Sequence, residues 1–296
     1  MSRSLANLVL LLAGALWGMG FVAQSTAMDA LGPFLFVGLR FLVATLAMLP
    51  FALRERATAE TALAPADWRA FGLIGILLFG GMASQQAGLL TTTVTNSGFL
   101  TGLYVVMVPF LAVIIYRQWP HPVVWPAAFA ALAGIWLLSG GALAGLTVGD
   151  WLTILCALFW ALQMIFIARH AAGSGRPITL AVTQFAVCAA LGLATALALE
   201  PIRLAGIIAA APEILYAGVF SGGIAFTLQA IGQRYTTASQ AAIFLSSESV
   251  FAALFGAIFL GERLPAIGLV GCALIFFAIL AVEILPPLFL RRRGAA

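Results

Sequence analysis

Long hydrophobic segments follow one another along this chain, with short polar or helix-breaking stretches between them. Ten apolar runs of about 20 residues are separated by proline, glycine or charged positions. A run of that length is what an α-helix needs to cross about 30 Å of hydrocarbon. The pattern predicts ten spanning helices, at approximately residues 6–26, 33–53, 68–89, 95–116, 122–140, 150–169, 178–199, 212–232, 237–260 and 265–286.

Composition places the chain among integral membrane proteins. Hydrophobic residues make up 63% of it and charged residues 8%, whereas about a quarter of a soluble domain is charged. Short alternating strands, the signature of a β-barrel, are not seen. A net charge of +4 is too small for a nucleic-acid-binding surface. The three cysteines show no metal-ligand spacing, so we predict neither a metal site nor a cofactor.

All positive side-chain charge comes from arginine, and its distribution predicts orientation. Cytoplasmic loops of membrane proteins carry an excess of basic residues. With the N-terminus in the cytoplasm, only Arg203 and Arg263 fall outside. We therefore expect an inner-membrane protein with both termini cytoplasmic and an uncleaved first helix. The arginines expected on the cytoplasmic side are Arg3, Arg54, Arg56, Arg69, Arg117, Arg169, Arg176, Arg234, Arg291, Arg292 and Arg293.

The two halves of the chain resemble each other, which predicts repeats at residues 1–145 and 146–296. The offset between matching residues drifts only from 143 to 145. Five spans per repeat is an odd number, so the second repeat would enter the membrane inverted. We expect the two repeats to surround a central cavity, because transporters built this way bind solute near the bilayer midplane and work by alternating access. The matches are Trp17 with Trp160, Arg40-Phe41 with Gln184-Phe185, Gln85 with Gln229, Gly88 with Gly232, and Phe99-Leu100 with Phe244-Leu245.

Four short motifs carry a resemblance to a known family. They are Ala15-Leu16-Trp17-Gly18, Gly38-Leu39-Arg40-Phe41, Val108-Pro109-Phe110 and Gly261-Glu262-Arg263-Leu264. With the two halves, they make the chain similar to the ten-helix EamA-type metabolite and amino-acid exporters of the drug/metabolite transporter superfamily. The first half departs from the pattern, since Tyr116-Arg117-Gln118 replaces the expected Gly-Glu. The resemblance implies export of small molecules without ATP hydrolysis and leaves the substrate open.

Arg40 and Glu248 are lone ionisable residues inside apolar runs. Such residues usually face a bundle interior or a wet cavity. Glu248 could exchange a proton, attract a substrate ammonium group, or stay protonated and serve packing alone. Arg40 could bind a substrate carboxylate, pair with Glu248, or snorkel outward. The repeat aligns them with the uncharged Gln184 and Leu103.

Other polar and aromatic residues at membrane depth complete the predicted substrate site. Indole rings can hold ammonium groups or aromatic rings, and amides need hydrogen-bond partners that hydrocarbon lacks. The same amides could instead only link helices to each other. The predicted substrate-binding residues are Trp17, Arg40, Gln85, Trp160, Gln163, Gln229, Ser246 and Glu248.

The favoured function is a secondary transporter that exports small metabolites, amino acids first, with or without protons as the coupling ion. Besides the solute, the expected partner is the lipid bilayer. One alternative is a transporter of nucleotide sugars or lipids, which should show more cations than Arg40. Another is an intramembrane enzyme, which would need a nucleophile with a base, a metal or an acidic pair; the sequence shows no such motif.

Overall fold

A computed structural model describes residues 1–92, 94–138, 146–259 and 266–293. All regular structure in these ranges is helical. The helices are α1 (Arg3–Ala27), α2 (Pro33–Ala57), α3 (Pro65–Gly88), α4 (Val94–Thr101), α5 (Tyr104–Tyr116), α6 (Val124–Leu138), α7 (Val148–Ser174), α8 (Pro177–Leu199), α9 (Leu204–Ala209), α10 (Ala211–Tyr216), a π-helix (Ala217–Ile224), α11 (Ala225–Gln233), α12 (Ala238–Leu245), α13 (Ser247–Phe259) and α14 (Ala266–Arg293).

The described helices account for the predicted spans. Nine helical stretches are long and apolar enough to cross a membrane, and the shorter apolar helix α6 lies within the predicted fifth span. The all-helical fold is therefore confirmed. Proline stands at the first turn of α2, α3 and α8, where its missing N–H would have had no helical partner. The motif Gly261-Glu262-Arg263-Leu264 lies outside the described residues.

Three predicted spans are not regular α-helices. The fourth is interrupted at Gly102 and Leu103, and the ninth at Ser246. The eighth contains the π-helix Ala217–Ile224, in which Gly218 and Gly222 bring the backbone close to α2. Departures of this kind often mark functional sites. Hydrophobic periodicity did not predict them, because a broken helix stays apolar along its length.

Helices α2 and α8 are tied together at both ends. The Glu200 carboxylate, which follows α8, accepts hydrogen bonds from the backbone N–H groups of Phe34 and Leu35, both at 2.8 Å. The Glu55 carboxylate in the last turn of α2 accepts from the N–H groups of Ile178 and Thr179, at 3.1 and 2.7 Å. Each helix thus satisfies the free N–H groups at the start of the other. The two helices therefore run antiparallel.

Two further helix pairs, α3 with α7 and α11 with α1, each join one half to the other through a close glycine contact. At the end of α3, Gly88 lies so close to the start of α7 that a methyl group on it would be 2.9 Å from the Thr153 hydroxyl. At the end of α11, a methyl group on Gly232 would be 2.8 Å from Leu10 in α1. Since Gly88 and Gly232 are aligned in the repeat, the same contact occurs once in each orientation. Helix α6 packs on α14, its counterpart in the other half.

The reciprocal caps should stabilise the fold additively. We expect Glu55→Ala and Glu200→Ala each to lower the free energy of unfolding by about 1 kcal/mol, the usual value of a helix cap. The double variant should lose the sum, because the caps lie at opposite ends of the pair. Denaturant unfolding of the detergent-purified protein measures this. Glu60→Ala, which removes an exposed carboxylate, is the control; a loss of the same size in it would mean that charge and not capping is responsible.

Candidate functional site

A small space lies between the two halves, enclosed by α1, α2, α3, α4, α5, α7, the π-helix, α11 and α13. Its volume is about 30 Å³, which is room for about one or two water molecules. The space in this arrangement is therefore smaller than an amino acid. The bordering residues are Trp17, Gln24, Arg40, Met82, Gln85, Thr101, Tyr104, Trp160, Met164, Ser221, Phe226 and Glu248.

Arg40 is the cation of this site, and only 1% of its surface is exposed. Its Nη2 donates to the Ser221 hydroxyl at 3.1 Å. The guanidinium carbon lies 5.6 and 5.2 Å from the ring centres of Phe36 and Phe41. The two other nitrogens, Nε and Nη1, are buried without a hydrogen-bond partner. A buried donor left unpaired costs about 1–3 kcal/mol, so Arg40 holds donor capacity that the fold does not use.

Glu248 is the carboxylate of the site, with 8% of its surface exposed. The Tyr104 hydroxyl donates to its Oε1 at 3.2 Å. Tyr104 begins α5 and Glu248 is the second residue of α13, so both follow the breaks in their spans. Within the described ranges, Arg40 and Glu248 form no ion pair with each other. The contact between Glu248 and Tyr104 joins the two halves. Tyr104 directly follows Leu103, the residue that the repeat aligns with Glu248.

Aromatic rings form one wall of the space. The Phe226 ring stacks on Trp160 at 5.4 Å and 11°, and lies 4.6 Å from Trp17. The ring centres of Trp17 and Trp160 are 6.0 Å apart and the two rings are tilted relative to each other. Trp17 Nε1 donates to the backbone oxygen of Ser221 at 3.0 Å. The π-helix thus contributes both Ser221 oxygens, one to Trp17 and one to Arg40.

The remaining predicted site residues divide into two groups. Gln85 borders the space and donates to the Thr101 hydroxyl at 3.0 Å. Gln163, Gln229 and Ser246 do not border it. The Ser246 hydroxyl donates to the Ile243 carbonyl at 2.7 Å, within the helix break. Gln163 and Gln229 hydrogen-bond to each other at 3.2 Å behind the aromatic wall.

Several bordering residues were not predicted from the sequence. Tyr104 lies two residues after Gly102, and Ser221 directly precedes two glycines. Such clusters of polar residues and glycine inside an apolar run are a signal that could have indicated helix irregularities. Apolar residues such as Phe226 and Met82 carry no such signal, because most of the chain is equally apolar. Among the described residues, no group of three or more His, Cys, Asp or Glu side chains could hold a metal ion.

Comparison with known proteins gives consistent matches. The model of a family described as the EamA-like transporter family matches residues 4–140 and 147–284. An uncharacterized transporter of Archaeoglobus fulgidus is 33% identical over 286 residues, covering 95% of this chain and 87% of the relative. A crystal structure with 21% identity has a TM-score of 0.81 and covers 96% of this chain and 99% of its own. That last likeness concerns the fold alone.

The unused donors of Arg40 make a stability measurement informative. We expect Arg40→Met to raise the free energy of unfolding by about 1–3 kcal/mol, because it removes buried donors that have no partner. The matched control is Arg176→Met. Arg176 donates to the carbonyls of Glu55 and Thr61 at 3.1 and 2.6 Å, so its loss should destabilise by about 2 kcal/mol or more.

Thermal and denaturant unfolding of both variants provide the measurement. Equal destabilisation in the two would mean that Arg40, like Arg176, serves to hold helices together.

Proposed function

This chain belongs to the EamA-like transporter family, and we propose that it exports small zwitterionic metabolites, amino acids first among them, across the cytoplasmic membrane by alternating access. The observation that carries this proposal is the pairing of opposite charges around one space. Arg40, with two unpartnered donor nitrogens, and Glu248 border the same aromatic-walled space without binding each other. An amino acid carries a carboxylate and an ammonium group that complement them.

The carboxylate end of the solute would bind Arg40. Hydrogen bonds between a guanidinium and a carboxylate are charge-assisted and stronger than neutral ones. Nε and Nη1 are each able to donate to a carboxylate oxygen without breaking the bond from Nη2 to Ser221. The solute would thereby neutralise a charge that is otherwise buried, which favours a site selective for anions of carboxylate size.

The ammonium end would bind on the side of Glu248 and the indoles. Glu248 supplies a carboxylate, and the faces of Trp17 and Trp160 attract cations. Because Tyr104 already donates to Glu248, an arriving ammonium group would compete with it or with a proton for the carboxylate. Glu248 is thus the residue through which we propose that protons are exchanged for solute.

The inverted repeats 1–145 and 146–296 supply the movement in this proposal. The space between the halves would open to one face or the other as one half rocks against its counterpart. The breaks beside Tyr104 and Glu248 lie where such rocking would change the site.

Arginine placement supports the proposed orientation. Arg176 binds the last turn of α2, and Arg234 donates to the Gly175 carbonyl at 3.4 Å, so the ends of α2, α7 and α11 meet at one basic face. That face is the cytoplasmic one by the positive-inside rule.

Transport by the purified protein in liposomes tests the proposal. A panel of labelled amino acids, with and without a pH gradient, should include members that move with saturable kinetics. Arg40→Gln should raise their KM about tenfold or more for uptake from the face opposite the basic one, because a charged hydrogen bond to the carboxylate is lost. Arg69→Gln, which changes an exposed arginine, should leave KM unchanged. If no amino acid moves under any gradient, the proposed function is wrong.

The pH gradient separates coupled from uncoupled transport. If Glu248 exchanges the proton, a gradient should accelerate wild-type flux several-fold and have no effect on Glu248→Gln. Glu60→Gln is the control, since this exposed carboxylate should leave the response intact. Equal flux with and without a gradient, in wild type and variant alike, would show that Glu248 does not couple transport to protons.

A further inference from the structure

Three glutamine side chains form a chain of amides across the second half of the protein. Gln229 Nε2 donates to Gln163 Oε1 at 3.2 Å, and Gln163 Nε2 donates to Gln184 Oε1 at 3.1 Å. They come from α11, α7 and α8, and each is completely buried. We refer to Gln163, Gln184 and Gln229 as the amide cluster.

The amide cluster has unused hydrogen-bonding capacity at both ends. Gln184 Nε2 and Gln229 Oε1 are buried and have no partner. Other buried amides, such as Gln86 and Gln233, also have an atom without a partner, but Gln184 Nε2 and Gln229 Oε1 are the two ends of one hydrogen-bonded chain of amides. The cluster therefore offers one donor and one acceptor beyond those that the helices consume.

The inverted repeat relates the amide cluster to the Arg40 side of the site. Arg40 is the eighth residue of α2 and Gln184 the eighth of α8. Since the two helices are antiparallel and tied at both ends, these residues lie at equal depths from opposite faces. Gln85 and Gln229 are related in the same way near the ends of α3 and α11.

The aromatic wall separates the amide cluster from Arg40. Gln163 lies one turn beyond Trp160 in α7, and Gln229 lies one turn beyond Phe226 in α11. Those two helices run parallel, since Gln229 contacts Gln163 and Gln233 contacts Met164. The cluster thus lies on the side of the wall that faces the basic end of the molecule, where α8 begins.

We propose that the amide cluster is a second binding site for the carboxylate-bearing solute. The cluster becomes accessible from the basic face when the protein closes toward the opposite face. This inference rests on the proposed function. The Gln184 amide N–H would donate to the solute carboxylate and the Gln229 carbonyl would accept from its ammonium group. Both contacts are neutral on the protein side, so the solute binds here less tightly than at Arg40. The two faces of the transporter therefore differ in affinity for one solute.

Transport measured separately from each face tests this. Inverted and right-side-out membrane vesicles receive the labelled amino acids that wild type moves. Gln184→Met, which keeps the volume of the side chain, and Gln229→Leu should raise KM about tenfold for uptake from the basic face. KM from the opposite face should stay within about twofold of wild type. Arg40→Gln should show the reverse pattern.

Gln233→Leu is the matched control. It removes a buried amide one turn beyond Gln229 on the same helix. The Gln233 Nε2 donates to the Met164 carbonyl at 2.9 Å, and its Oε1, like that of Gln229, has no partner, but Gln233 lies outside the chain of amides that forms the cluster. Its KM should be unchanged from both faces. Gel filtration and thermal unfolding establish that each variant is folded.

The outcomes separate the two proposals. A wild type that moves no amino acid overturns the proposed function and this inference with it. If wild type is active but the cluster variants change KM equally from both faces, or change only the maximal rate, the amides link helices and do not bind solute. In that case the proposed function stands and the second site is wrong.

Discussion

Reciprocal capping of α2 and α8 joins the two halves of the protein. Every helix begins with N–H groups that lack a partner, and in these two helices the partner is a glutamate at the end of the other. The arrangement forces the helices to be antiparallel and fixes their register. It thereby sets Arg40 and Gln184 at matching depths from opposite faces. The positions of Arg40 and Gln184 both follow from this one pair of helices.

Buried polar groups of two kinds can be distinguished in this chain. Glu55, Glu200 and Arg176 lie at helix ends and have partners supplied by backbone groups. Arg40 and the amide cluster are more deeply buried, and atoms of Arg40, Gln184 and Gln229 have no partner. Under the proposed function, the solute would supply those partners.

Helix irregularity concentrates where those unpaired groups meet. The breaks before Tyr104 and Ser247 and the π-helix around Ser221 surround one small space. Irregular backbone at membrane depth is tolerated only where protein or a cavity provides for its polar groups. Here Ser221 illustrates the use made of it, since its backbone oxygen accepts from Trp17 and its hydroxyl from Arg40. In a regular α-helix, that carbonyl would accept a hydrogen bond from the backbone N–H four residues later.

The order of amino acids was enough to predict the helical spans, the internal similarity of the halves and the unusual character of Arg40 and Glu248. These properties depend on local hydrophobicity and on the free-energy cost of placing a charge in hydrocarbon, and both can be judged from each segment alone. The packing of distant helices brings Glu248 to Tyr104 and not to Arg40. It also places Gln163 and Gln229 one turn beyond the aromatic wall and makes Phe226 part of that wall. Those facts depend on which faces of distant helices are in contact. Because nearly all of the chain is apolar, its local composition does not indicate which faces these are.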